Sequence, residues 1–305
     1  MPYTVLLALL PVALCVPLVN VADEWIPLVS GFADMEILES GFISAALVIL
    51  FMAATLVSVC CILQQTTAIP ILHTLLIFGM LLLSDPYSLR FNMVYPVLLC
   101  LAWMQFFLLK NQVYAAFMLI SVASLFYAPA VWFVPAAIIL LPLNGVPDFF
   151  RISVKAIGGF ITPQLYLLVF RWIKFNDALI YLQHYIAEIT DIGLPLHLLH
   201  LSDYFLIICV LYMVMRSVSF ALLRMPDGMA LYIIRTEIAT FWLTFAMFVC
   251  FYNTVETPLF NLMILPAALL ISYYLKNCDK KSRVTAEYLT LMCAILLRGF
   301  SHLVN

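Results

Sequence analysis

The sequence predicts an all-α fold, a polytopic transmembrane helical bundle of about eleven helices with its N-terminus inside. Three observations predict it. The chain is 66% hydrophobic and only 10% charged, whereas a soluble domain carries about a quarter charged residues. Its mean hydropathy is +1.12, more apolar side chain than one soluble core absorbs, so a bilayer must act as solvent. Its basic residues also sort to one side when the apolar runs are threaded alternately through a membrane. The net charge of −2 offers no basic field for nucleic acid.

The first apolar run, Tyr3 to Asn20, has no basic n-region and no small-x-small cleavage site, so it reads as an uncleaved helix. Leu14 before Cys15 is too bulky for a lipidation site. Further helices are expected over 41–62, 68–83, 91–109, 113–127, 130–142, 156–173, 203–221, 236–252, 259–275 and 285–301. Several are shorter than the ~20 residues of a full span. Ala128-Pro129 is expected to part the fifth helix from the sixth, because proline removes a donor and biases its predecessor out of the helical region.

Charge supports that break. With eleven helices, the inside holds Lys110, Arg151, Lys155, Arg216, Arg224, Arg235, Lys276, Lys280, Lys281 and Arg283, ten of the 14 basic residues. Arg90, Arg171, Lys174 and Arg298 lie outside. Fusing the pair at Pro129 would set Lys110 opposite Arg151 and Lys155, against the positive-inside bias. The C-terminus then lies outside, and no connecting segment is long enough for a separate domain. Residues 1–305 form a single integral membrane domain.

Two outer segments collect acidic residues. The loop 21–40 holds Asp23, Glu24, Asp34, Glu36 and Glu39 and no Lys or Arg. The segment 172–202 contains Leu179, Ile180, Leu182, Tyr185, Ile186 and Ile189 among Gln183, His184 and Glu188. That pattern predicts a helix over 178–190 lying in the membrane interface.

Asp23, Glu24 and Asp34 are the candidate catalytic residues. A carboxylate at the membrane surface is partly desolvated, which raises its pKa and suits a general base. Asp34, Glu36 and Glu39 are a candidate set for a divalent cation holding a phosphate. The plainer reading of all five is a solvated acidic loop. Arg171, Lys174 and Arg90 sit against the orientation rule and are the candidate lipid-phosphate-binding residues. Snorkelling to the interface explains them equally. His197 and His200 stand one helical turn apart, a spacing that binds zinc. They lack the His-Glu-x-x-His order of a protease and also read as interfacial histidines. His73 is an ionisable group in an expected span, where a neutral histidine bonded to a neighbouring helix is the plainer reading. The eight cysteines form no C-x-x-C pair and read as buried small hydrophobes.

The chain has no P-loop, no dinucleotide fingerprint and no G-x-S-x-G, so ATP-driven, nicotinamide-linked and typical serine-hydrolase chemistry find no support. No string of charges runs through helix centres, which speaks against a proton-coupled transporter. No residue pattern identifies a cofactor or a metal.

Three stretches resemble an uncharacterised family of multi-pass inner-membrane proteins from Bacteroidota. They are Phe117 to Leu143, with Ser124-Leu-Phe-Tyr-Ala-Pro129, then Ala156 to Phe170, with Gly158-Gly-Phe-Ile-Thr-Pro163, and Leu262 to Leu289, with Leu265-Pro266 and Tyr273-Tyr-Leu-Lys276. Together they cover about a third of the chain. The resemblance implies a bacterial inner-membrane protein of the cell envelope and carries over no catalytic residue. The architecture is also similar to the C-superfamily of membrane glycosyltransferases, with an inside N-terminus, acidic residues in the first outer loop and a substantial outer segment after the seventh helix. That similarity implies a polyprenyl-phosphate-linked donor, Asp23 or Asp34 as base, and Arg171 or Lys174 near the lipid phosphate. The chain lacks the large outer domain that many members carry. A non-enzymatic partner or assembly subunit of an envelope complex, and a transporter or flippase, are the competing expectations.

Overall fold

Within a bilayer a single segment can satisfy its own backbone polar groups only as a helix. All regular structure among the described residues is helical. The computed structural model describes residues 41–66, 68–83, 94–143, 149–190, 201–224, 228–251, 260–278 and 281–304. The expected helix over 3–20 and the acidic loop 21–40 lie outside these residues. The described helices are α1 (Gly41–Leu63), α2 (Ile71–Leu83), α3 (Val94–Leu109), α4 (Val113–Phe126), α5 (Phe133–Leu143), α6 (Phe149–Phe175), α7 (Ala178–Thr190), α8 (Leu201–Arg224), α9 (Gly228–Phe251), α10 (Phe260–Asn277) and α11 (Lys281–Val304). Within α6, α8 and α9, Phe150–Phe175, Leu201–Leu223 and Gly228–Cys250 are each long and apolar enough to cross a membrane. The protein is a multi-pass, membrane-embedded helical bundle.

Several helices extend further than hydropathy indicated, α6, α8, α9 and α11 most of all. α6 begins at Phe149 rather than 156 and α9 at Gly228 rather than 236, while α8 continues to Arg224. The added turns carry Arg151, Lys155, Arg224 and Arg235. Hydropathy marks the apolar length of a helix, whereas the helix continues into the headgroup layer, where long basic side chains are at home. Glu237 sits within α9 with 1% exposure. Gln105 Nε2 of α3 donates to its Oε2 at 3.3 Å.

The chain does part at Pro129. α4 stops at Phe126, Tyr127 is extended (φ −142°, ψ 100°), and a 3₁₀ turn over Ala128–Trp132 leads into α5. Contacts between α4 and α6 show that the chain reverses between them. Gly159 lies against the backbone of Tyr114 and Met118, and Gln164 reaches Ser124. The two helices therefore climb in the same direction, and the segment between them, α5 included, carries the chain back. Gly159 permits this approach, which is the use of small residues where membrane helices meet. Tyr114 donates to Thr162 Oγ1 across the same contact at 2.9 Å.

The core centres on α10. Every residue from Leu262 to Tyr274 is buried, as a helix apolar on all faces requires once it is enclosed by protein. α2, α3, α8 and α9 enclose it, and Ser217 Oγ of α8 donates to Leu270 O at 2.7 Å. A succession α1–α3–α4–α6 forms the other part of the bundle.

Side-chain contacts define two ends. At the basic end, Lys110 Nζ donates to Gln65 Oε1 at 3.2 Å, and Asn277 Nδ2 donates to Ala68 O at 3.2 Å. Asn111 closes α3 there at φ 57°. Gln112 N–H reaches Phe107 O and Asn111 N–H reaches Leu108 O, the paired bonds of a Schellman cap. At the opposite end, Arg298 Nε of α11 donates to Asp203 Oδ1, in the first turn of α8, at 2.7 Å. Both side chains are over 90% buried.

Candidate functional site: the corner between α6 and α7

The candidate site is at the end opposite the basic turns and is built by a break in the chain. Asn176 takes the left-handed conformation (φ 52°) directly after α6. Asparagine tolerates this because its short polar side chain bonds locally. Asp177 follows at the N-cap of α7, where its carbonyl accepts Tyr181 N–H at 2.9 Å and its negative charge complements the helix dipole. The helix expected over 178–190 is thus present as α7, with the same bounds.

Arg171, in the last turns of α6, turns back onto this corner. Its Nε donates to Asp177 Oδ1 at 3.1 Å and its Nη2 pairs with Asp177 Oδ2. The fork-to-fork geometry is the strong form of such a pair. Its guanidinium carbon stands 5.0 Å from the centroid of the Tyr181 ring and 5.7 Å from that of Phe175, within cation–π range. The hydrogen bonds from Arg171 hold the Asp177 carboxyl below its ordinary value. Lys174, one turn further on, is exposed.

α7 turns two tyrosines inward at positions i and i+4, one face of a helix. Tyr181 and Tyr185 are 4% and 7% exposed, with rings 6.0 Å apart. Tyr185 donates to Ser124 Oγ at 2.9 Å. Gln164 Nε2 donates to the same oxygen at 2.9 Å and lies 3.3 Å from the Tyr185 hydroxyl oxygen. Ser124 passes its own proton to Ser121 O at 2.7 Å. This network ties α4, α6 and α7 together. Leu125, Ala128 and Leu167 form a small core with the two tyrosines.

Next to the network are groups with no such match. The hydroxyls of Tyr127 and Tyr181 are buried without a hydrogen-bond partner among the described residues. Buried polar groups are ordinarily satisfied, so each unmatched one needs a reason. Glu188, one turn past His184 on α7, is half-buried, and burial pushes its carboxyl above the ordinary value while the exposed His184 pulls the other way. Burial likewise raises Tyr181 and Tyr185, and the Glu188 charge adds to both. The corner thus offers two phenolic donors, an exposed ammonium and a carboxyl shifted toward the range of a general acid–base group.

Of the residues singled out from sequence, Asp23, Glu24, Asp34, Arg90, His197 and His200 lie outside the described residues. Arg171 and Lys174 come to the corner, Arg171 held by Asp177 and Lys174 exposed. His73 is exposed in the first turn of α2. No group of three metal-ligating side chains occurs among the described residues. Ser124, Tyr127, Gln164 and Tyr181 were not foreseen as site residues. Gln164 was the available signal, a lone amide in an apolar run, which demands a partner at membrane depth.

Compared with protein-family models, curated proteins and solved structures, the chain finds no match.

Proposed function

We propose that this is an inner-membrane protein of a bacterial cell envelope that handles a polyprenyl-phosphate-linked donor at its outer face, in the manner of a membrane glycosyltransferase. The observation that carries this reading is the corner between α6 and α7. There Glu188, half-buried on α7, sits near the two unmatched hydroxyls of Tyr127 and Tyr181. The apolar outer face of α7, with Leu179, Ile180 and Ile186 exposed, suits contact with acyl chains. Lys174, exposed at the end of α6, is the candidate partner for a lipid phosphate. In such a transfer a carboxylate removes the proton of an acceptor hydroxyl. The acceptor oxygen then bonds to the anomeric carbon of the sugar, and the sugar–phosphate bond breaks to release polyprenyl phosphate. Glu188, Asp23, Glu24 and Asp34 are the candidate bases.

The test is native mass spectrometry of the gently purified chain, followed by sugar transfer from a polyprenyl-linked donor. A retained polyprenyl phosphate that is lost in Lys174→Gln supports the reading. Full activity in Glu188→Gln, Asp23→Asn, Glu24→Gln and Asp34→Asn would overturn it.

A second reading rests on α6, whose membrane window is only 17% buried. Phe150, Val154, Ile157, Ile161 and Leu165 make an exposed apolar row along it. A non-enzymatic subunit of an envelope complex would seat a partner helix there. Co-purification of a stoichiometric second chain, lost on Ile157→Ser and Ile161→Ser, selects it. A transporter or flippase would instead show cysteine accessibility in α2 and α8 that changes with substrate or gradient.

A further inference from the structure

A separate cluster lies at the basic end, where α8, α10 and α11 meet. Tyr274 of α10 donates to Glu287 Oε1 at 3.1 Å. Arg283 Nε donates to the same oxygen at 3.2 Å, and Arg283 Nη2 donates to Tyr212 OH at 3.5 Å. The Arg216 guanidinium carbon stands 5.8 Å from the centroid of the Tyr274 ring. Two atoms remain over. Glu287 Oε2 and Arg216 Nε are buried without a hydrogen-bond partner among the described residues. The Glu287 side chain is only 10% exposed, so bulk water does not satisfy its second oxygen.

The shape says from where a ligand would come. Tyr274 is 1% exposed and closes the back of the cluster, while Tyr212 is 47% exposed and rims the seam between α8 and α11. The Arg283 side chain, 43% exposed, forms the other rim. Access is therefore lateral. Two guanidiniums against one carboxylate leave a surplus positive charge, which favours an anion. The unmatched carboxylate oxygen beside them requires a donor. A simple phosphate would set its charge against Glu287, and a simple ammonium would meet the two arginines. A ligand that carries both groups avoids both conflicts.

We propose that the α8–α11 seam binds a phosphoryl group bearing a neighbouring ammonium donor, as in a phosphoethanolamine headgroup. The phosphate faces Arg216 and Arg283, and the ammonium donates to Glu287 Oε2. This site is independent of the α6–α7 corner.

The test uses the purified full-length chain in detergent. It compares the binding of phosphatidylethanolamine with phosphatidylcholine of the same acyl chains, whose quaternary ammonium has no N–H to donate. The wild type should hold phosphatidylethanolamine at least about tenfold more tightly, the scale of one hydrogen bond to a charged group. Glu287→Gln should bring the two lipids together, and Arg216→Gln should weaken both. Soluble O-phosphoethanolamine that displaces the lipid at similar concentration assigns the same chemistry to a soluble ligand. Failure to displace assigns it to the bilayer lipid. Equal binding of the two lipids by the wild type overturns the proposal, and that comparison needs no variant to fold.

Discussion

Adjacent glycines in α6 should respond to the same substitution with opposite sign. A Cβ on Gly159 would stand 2.3 Å from Tyr114 O, 3.1 Å from Tyr114 C and 3.3 Å from Met118 N. A carbon–oxygen contact is comfortable at about 3.3 Å, so α4 and α6 would have to separate by about 1 Å. The obstructing atoms are all backbone, and no rotamer change relieves them. Overpacking of this kind costs about 1–3 kcal/mol. The separation also stretches the Tyr114–Thr162 hydrogen bond, and bonds between membrane helices contribute about 0.6 kcal/mol. Alanine returns about 1 kcal/mol of helix propensity, which leaves Gly159→Ala destabilised by about 0.6–2.6 kcal/mol. At Gly158 the added carbon meets only Tyr114 Cε2 at 3.9 Å, an ordinary contact. Gly158→Ala should therefore be neutral or more stable by up to about 1 kcal/mol. Reversible unfolding in mixed micelles, followed by circular dichroism, reads both. A Gly159→Ala protein as stable as Gly158→Ala would refute the placement of α4 on α6.

Breaking the buried Arg298–Asp203 pair by Asp203→Asn should cost about 3–5 kcal/mol, because it removes the carboxylate charge facing a buried cation, and a paired Asp203→Leu, Arg298→Met change should recover much of it in the same unfolding assay. Tyr185→Phe should destabilise by about 1 kcal/mol through loss of its bond to Ser124. Tyr181→Phe, which removes a hydroxyl with no described partner, should leave stability unchanged or raise it, and thermal melts of the two variants make the comparison. Glu188 is favoured neutral in the folded protein. Its contribution is present below the ordinary carboxylate value and is lost as pH rises through its raised value. Glu188→Gln should therefore match the wild type near pH ~4 and exceed it near pH ~8. A melting-temperature gap that shrinks as pH rises would reverse that sign.

Apolar runs, the break at Pro129 and the interfacial pattern over 178–190 are local properties, and each was legible from sequence. Helix ends were less so, because Arg151 or Arg235 lowers hydropathy without stopping a helix. The left-handed residues Asn111 and Asn176 carried a stop signal that hydropathy does not register. The central position of α10 was hidden for a physical reason. In water an all-apolar helix must be buried, but in a bilayer it can equally face lipid, so composition does not separate core from rim. The two glycines of Gly158-Gly159 are likewise indistinguishable until a neighbouring backbone is placed against one of them. At the candidate site, charge drew notice to Arg171 and Lys174, while the network on Ser124 is neutral and assembled from α4, α6 and α7. Asp177, six residues after Arg171 and across a turn, is a partner only because Asn176 reverses the chain.

The enclosure of α10 also sets a schedule for synthesis. Its enclosing helices α2, α3, α8 and α9 all precede it in the chain. At about 5–20 residues per second, α2 is complete on the order of 10–40 s before the last residue of α10 is made. Through that interval the face of α2 that will pack on α10 has no α10 to cover it. A chain cut short after α9 therefore carries α2, α3, α8 and α9 without the helix they pack on, and their core faces stay uncovered.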